Sequence, residues 1–207
     1  MGENKVTFGL KNVYYALYEI LDGVVKFKTP IPIPGAVELT LDPRGDLIEF
    51  YADDMLYYSA SNNQGYDGAL NIATIPEKFA VDVLGEELDE VDGVLNELAD
   101  AKGKPFALLF EFDGDEKATR HVLFNNSASR PTVASKTKTN SAEPNTNELK
   151  FVSSPIDISG RRMVKTKTTS KTTQAVYDNW FKEVYTKKSV EINKTCGSMS
   201  TEKQKNF

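Results

Sequence analysis

Apolar and polar residues alternate with a period of two along much of this chain, the spacing of strands that bury one face. The clearest run is Phe106 to Asp113, with Phe106, Leu108, Phe110 and Phe112 on one side and Ala107, Leu109 and Glu111 on the other. Asp113-Gly114-Asp115 turns the chain, and Ala118 to Asn125 returns as its partner, so this hairpin is expected at the centre of the core. Val13 to Glu19 and Val24 to Thr29 flank Asp22-Gly23, a strong hairpin signal. Ala36 to Asp42 also alternates: Val37, Leu39 and Leu41 face one way, and Glu38, Thr40 and Asp42 the other, predicting a half-buried strand with a wet face. Turn chemistry follows at Asp42-Pro43-Arg44-Gly45. Leu47 to Tyr51 and Gly68 to Ile75 read as strands, and Thr132 to Thr139 with Glu148 to Ile158 as a further antiparallel pair linked by Asn140 to Asn147.

Other segments break the alternation. The prolines of Pro30-Ile31-Pro32-Ile33-Pro34 remove backbone donors and predict an extended connector or sheet edge. Pro76 to Gly85 reads as a short helix with Phe79 and Val83 on one face, covering one side of a sheet. Glu86 to Asp100 reads as a hairpin turning at Asp92-Gly93, with a helix as the alternative. Val164 to Thr173 alternates Lys and Thr without a clear apolar face, as an exposed edge strand or a connector would. Gln174 to Tyr185 predicts a helix with Val176, Trp180 and Val184 at four-residue spacing, Thr173 as its cap and an Asp178–Lys182 pair on its surface. Residues 1–186 are thus expected to form one domain, and 187–207 a polar extension that is mobile or ordered by a neighbour.

Ala52 to Tyr66 departs most from its surroundings. It is read as a long polar loop carrying Asp53, Asp54, Tyr57, Tyr58, Asn62 and Tyr66. Exposed tyrosines offer apolar area with a polar handle, which suits a contact surface. The alternative is an ordinary surface hairpin with Tyr57 and Tyr58 partly in the core.

The chain has 207 residues, 40% hydrophobic and 27% charged, enough to bury a core without disulfides. Its single cysteine, Cys196, allows no intrachain disulfide. Met1 to Val6 lacks the apolar run of a secretory signal, and no apolar stretch approaches the roughly 20 residues of a membrane helix, so no membrane anchoring is expected. The net charge of −5 is unevenly distributed: residues 1–160 carry 14 Lys/Arg against 26 Asp/Glu, and residues 161–207 carry 11 against 4. An acidic body is unlike a DNA-binding face. A basic end on an acidic body suits either a solvated tail or head-to-tail association of like subunits.

Catalytic chemistry has little to stand on. His121 is the single histidine and sits within strand alternation, away from Cys196, so no metal site and no metal or cofactor is expected. The chain has no G-x-S-x-G elbow, no phosphate-cradling G-x-x-x-x-G-K-[ST] loop and no G-x-G-x-x-G. Asp113-Gly114-Asp115-Glu116 lacks calcium-loop register.

Three segments carry a resemblance: Asn4-Lys5-Val6-Thr7-Phe8-Gly9-Leu10-Lys11-Asn12-Val13, Pro105-Phe106-Ala107-Leu108-Leu109-Phe110-Glu111-Phe112-Asp113-Gly114-Asp115, and Val176-Tyr177-Asp178-Asn179-Trp180-Phe181-Lys182. With Pro34-Gly35-Ala36 and Phe50-Tyr51-Ala52-Asp53, they make residues 4–186 similar to the major tail proteins of long, non-contractile phages of Gram-positive bacteria. The resemblance implies a mainly β fold, two packed antiparallel sheets flanked by a short helix and a C-terminal helix. It implies a non-enzymatic subunit that forms stacked hexameric rings in the virion tail after synthesis in the host cytoplasm. Its implied partners are further copies of itself and the tape measure, tail tip and tail terminator proteins. Double-stranded DNA would pass through the lumen without specific binding. Asp53, Asp54, Tyr57, Tyr58, Asn62 and Tyr66 are then the expected inter-ring contact, and Glu38, Thr40 and Asp42 the expected lumen-facing residues. The alternatives are the tube subunit of a phage-derived injection device and a monomeric Ig-like or lectin-like adhesion sandwich.

Overall fold

Phe106 to Gly114 forms the strand around which the fold is organised. The computed structural model of the protein describes residues 2–133, 135, 137 and 145–187. Along the chain its elements are β1 (Thr7–Leu21), β2 (Val24–Phe27), β3 (Ile31–Pro32), β4 (Ala36–Arg44), β5 (Leu47–Ala52), β6 (Met55–Ser61) and β7 (Gly65–Ile72). A short helix α1 (Glu77–Phe79) follows, continued by a wider π turn (Ala80–Leu84). Then come β8 (Glu87–Asp89), β9 (Val94–Asn96), β10 (Phe106–Gly114), β11 (Thr119–Ala128), β12 (Asn147–Ser153), β13 (Ile156–Ile158), β14 (Arg161–Met163), β15 (Lys165–Lys167) and helix α2 (Gln174–Asn179).

The protein is mainly β and antiparallel. Its main sheet has nine strands and runs β2-β1-β10-β11-β12-β7-β4, with β3 paired to β1 and β15 to β11. Three two-stranded hairpins stand apart from it: β5–β6, β8–β9 and β13–β14. The β1–β2 hairpin closes through Asp22 (φ 51°) and Gly23 (φ 76°), two consecutive left-handed residues that match the twist of its strands.

The two faces of β10 explain the layering. Phe106, Leu108 and Phe110 join a core that also takes Tyr15 from β1, Leu70 and Ile72 from β7, Leu149 and Phe151 from β12, and Phe79 and Val83 from α1 and its π turn. Leu39 and Leu41 of β4 pack against the same cluster, so the sheet curls around it and brings β4 near β1. On the opposite face Ala107 and Leu109, with Val122 and Phe124 of β11, are covered by Trp180 and Val184 from the C-terminal segment and by Ile158 of β13. A fully buried strand flanked on both faces is what the uninterrupted apolar run demands.

Several expectations need correction. Val37 is exposed, because the β4–β7 register shifts between Ala36 and Glu38; Ala36, Leu39 and Leu41 are the residues that turn inward. Asp42-Pro43-Arg44 is not a turn but the end of β4; Pro43 is tolerated because β4 lies at the edge of the main sheet, where a missing N–H costs nothing. Thr132 and Val133 form no strand, and β12 pairs with β7 and β11 instead; most of 134–144 lies outside the described residues. The helix from Gln174 ends at Asn179. Thr173 offers only its backbone carbonyl, to Tyr177 N, and Asp178 accepts from Gln174 rather than pairing with Lys182. Residues 86–100 adopt the hairpin and not the helix, with Gly93 left-handed at its turn. Beyond Lys187 the expected polar extension and Cys196 lie outside the described residues.

Candidate contact surface

The segment expected to be a long loop is in fact the β5–β6 hairpin, turning at Asp53 (φ 50°) and Asp54 (φ 59°). Aspartate tolerates the left-handed region better than most residues, and two in succession give the tight turn that a two-residue hairpin needs. With strands of six and seven residues the hairpin is roughly 20 Å long at about 3.3 Å per residue.

Its register sorts its side chains. Ile48 pairs with Ala60 and Phe50 with Tyr58, and a bulge between Phe50 and Tyr51 adds Tyr57 to the same side, where its ring meets Phe50 edge-on at 6.4 Å. The other face carries Leu47, Tyr51 and Leu56 with Glu49, whose Oε2 accepts the Tyr51 hydroxyl at 3.0 Å. Tyr57 is 72% exposed, Tyr58 57% and Phe50 57%, and neither strand of the hairpin has a buried residue. A two-stranded ribbon covered on neither face is marginal in water. Exposed apolar side chains gathered on one element make it a candidate contact surface.

The six residues expected at this contact are therefore not all brought together. Asp53, Asp54, Tyr57 and Tyr58 lie on the hairpin. Asn62 follows it, and Tyr66 belongs to β7, half-buried, with the Lys165 ammonium 4.4 Å above its ring. The sequence reading missed Ile48, Phe50 and Met55. Leu47 to Tyr51 reads as a strand in the sequence, with neither face assigned to core or solvent, and that strand carries Ile48 and Phe50.

Glu38, Thr40 and Asp42 do share a face, and all three are exposed. In the β4–β7–β12 arm they align in rows: Glu38 with Asn71 and Glu148, Thr40 with Ala69 and Lys150, Asp42 with Asp67 and Val152. Asn71 donates to Glu38 at 3.2 Å. Asp42 stands directly opposite Asp67, a repulsive placement that Arg44, 3.5 Å from Asp67, partly offsets. Lys150 lies 3.3 Å from Glu148. The face is polar, net acidic and uncovered, in contrast to the β10–β11 arm beneath Trp180.

His121 takes no part in either surface. It stacks flat on Phe110 with centroids 5.0 Å apart and leans on Phe112, and burial beside Lys165 and Lys167 lowers its pKa to about 4. A cleft of about 410 Å³ beside it is bordered by Asn4, Lys117, Thr119 and Lys167. No group of three His, Cys, Asp or Glu residues placed to hold a metal occurs among the described residues.

No protein-family model matches this chain, and no curated protein matches it in sequence. Among solved structures it is similar to a chain of the PVC sheath–tube complex, an extracellular contractile injection system in its extended state. That match has 12% identity and a TM-score of 0.42, and it covers 76% of this chain and 88% of the other. It is also similar to the tube-terminating cap of the anti-feeding prophage, at 13% identity and a TM-score of 0.44, covering 77% and 89%. At such identities and scores neither likeness bears on what this chain does.

Proposed function

We propose that this chain is a structural, non-catalytic subunit that assembles with copies of itself into a tube, the tail tube of a long non-contractile phage, as stacked hexameric rings through which DNA passes. The observation that carries the reading is the β5–β6 hairpin, whose Ile48, Phe50, Tyr57 and Tyr58 face is apolar and exposed. Such a face is stabilised by burial against another subunit. The resemblance carried by segments across residues 4–186 supports this choice of assembly class.

The acidic β4–β7–β12 face supports the same reading. A water-filled bore needs a polar sheet face, and carboxylates there repel phosphates so that DNA slides without adhering. Tape measure, tail tip and terminator proteins would meet the tube at its interior and ends, and residues 187–207 would contribute outside the main domain. The test is negative-stain electron microscopy of the concentrated protein, alone and with a tail-tip seed. Hollow stacked rings are expected. Monomers persisting in both samples would overturn the proposal and favour the adhesion sandwich.

A further inference from the structure

Two oppositely charged elements of this protein make few ion pairs among the described residues. The first is the β8–β9 hairpin. Residues 86–100 hold seven carboxylates and no Lys or Arg. Among the described residues a single one of these, Glu97, forms an ion pair, with Arg130 at 2.9 Å. The hairpin also presents apolar side chains to solvent: Val91 at its turn is 92% exposed, and Leu88 and Val94 are half exposed. Asp89 Oδ1 accepts from the N–H groups of Val91 and Asp92, which holds that turn in shape. It is therefore a pre-formed acidic knob with an apolar tip.

The second element is the stretch through β14 and β15. Residues 158–177 hold Arg161, Arg162, Lys165, Lys167 and Lys171 with no Asp or Glu. All five are exposed, and among the described residues none forms an ion pair. β15 pairs with β11 on one side, so its lysines stand along a sheet edge. This ridge opens the basic end of the chain, which runs from Arg161.

We infer that the β8–β9 hairpin of one copy docks on the β14–β15 ridge of a second copy, an interface distinct from the one made by β5–β6. The inference rests on the self-assembly proposed above and identifies a second pair of surfaces used in it. Charge complementarity selects the occupant: a hairpin rich in carboxylates, of which Glu97 is paired with Arg130, meets a ridge rich in cations, where Asp157 stands opposite Arg162, and like-charged misalignments are repelled. Because the two surfaces differ, the contact is head-to-tail, the kind that builds rings and filaments from one chain. Exposed charges make it sensitive to salt, since screening shortens their reach to about 8 Å at 0.15 M.

The test uses three full-length variants, each checked for an unchanged melting temperature as monomer. In the first, Glu87→Lys, Glu90→Lys and Asp92→Lys reverse the knob without touching Asp89. In the second, Arg161→Glu, Arg162→Glu and Lys171→Glu reverse the ridge. The third carries all six changes. Sedimentation velocity and electron microscopy, with the tail-tip seed present, read the assembled fraction. Each triple variant is expected to lose at least tenfold of the wild-type assembly, and the sixfold variant to recover most of it. If wild type and both triple variants assemble alike, this docking is overturned while the tube reading stands. If only the knob variant fails, or if the sixfold variant stays as poor as the triples, the ridge is not the acceptor. A wild type that remains monomeric overturns both readings.

Discussion

The Arg120 guanidinium donates from Nε to Glu111 Oε2 at 2.6 Å across the β10–β11 pair, with both side chains largely withdrawn from water. Asn12 donates to the other carboxylate oxygen at 3.2 Å. The guanidinium also lies over the Tyr177 ring at 3.7 Å and donates to the Tyr177 carbonyl, so one cation ties two central strands to α2. Replacing Arg120 by Met strands a buried carboxylate, which costs about 3–5 kcal/mol. Replacing both partners, Glu111→Leu with Arg120→Met, recovers a large part of that loss. Urea unfolding measures both, and a loss below about 1 kcal/mol for the single variant would show the pair to be ornamental.

His121 makes stability depend on acid. The unfolded histidine binds a proton below its ordinary pKa of 6.5, whereas the folded one, buried beside Phe110 and near Lys165 and Lys167, does not until about pH 4. The unfolded state therefore binds more protons between these values, and this contribution to stability, complete above pH 6.5, is lost progressively as pH falls to about 4. His121→Phe keeps the stack on Phe110 and removes the titration. Relative to that variant, the wild type is expected to lose about 3 kcal/mol between pH 7 and pH 4 in matched unfolding curves. Parallel curves would refute the assignment.

Replacing Tyr57 and Tyr58 with Ser removes exposed aromatic area from the β5–β6 face. Thermal unfolding of the monomer should change little, since both side chains are in solvent and away from the core. Assembly into tubes should fail. Tubes of normal length from the double variant would remove the hairpin from the contact.

Charge reversal on the open sheet face gives a separate expectation. Tubes built from a Glu38→Lys and Asp42→Lys variant should form normally but retain double-stranded DNA at low salt and release it as salt rises, because cations there bind phosphates. Wild-type tubes should retain none. Equal DNA binding by the two tubes would place this face away from the bore.

Local chemistry was sufficient for much of the fold. The alternation of Phe106 to Phe112 set the two faces of β10, and Asp22-Gly23 and Asp92-Gly93 each marked a hairpin turn, because those elements are decided by side-chain period and by turn residues that accept positive φ. The Phe79 and Val83 face of the short helix was equally readable, with Gly85 ending it in a left-handed conformation at φ 81°.

What lay beyond the sequence were relations between distant segments. Gly65, at φ 104°, has to be glycine, because a side chain there would collide with the Ser153 carbonyl, a neighbour 88 positions away that no local pattern announces. The pairing of β12 with β7, the shift that exposes Val37 and the placement of Asp42 opposite Asp67 are likewise matters of register, which long-range packing sets. The same holds for the candidate surface. Composition picked out Tyr57 and Tyr58, but an apolar strand reads identically whether it faces a core or solvent. Only the tertiary structure, which leaves β5–β6 outside the main sheet, makes Ile48 and Phe50 part of an exposed face. The sequence by itself determined the central strand, the hairpin turns at Asp22-Gly23 and Asp92-Gly93 and the separation of acidic from basic charge. The fold decided which of those strands remain unburied, because burial depends on what the rest of the chain can reach.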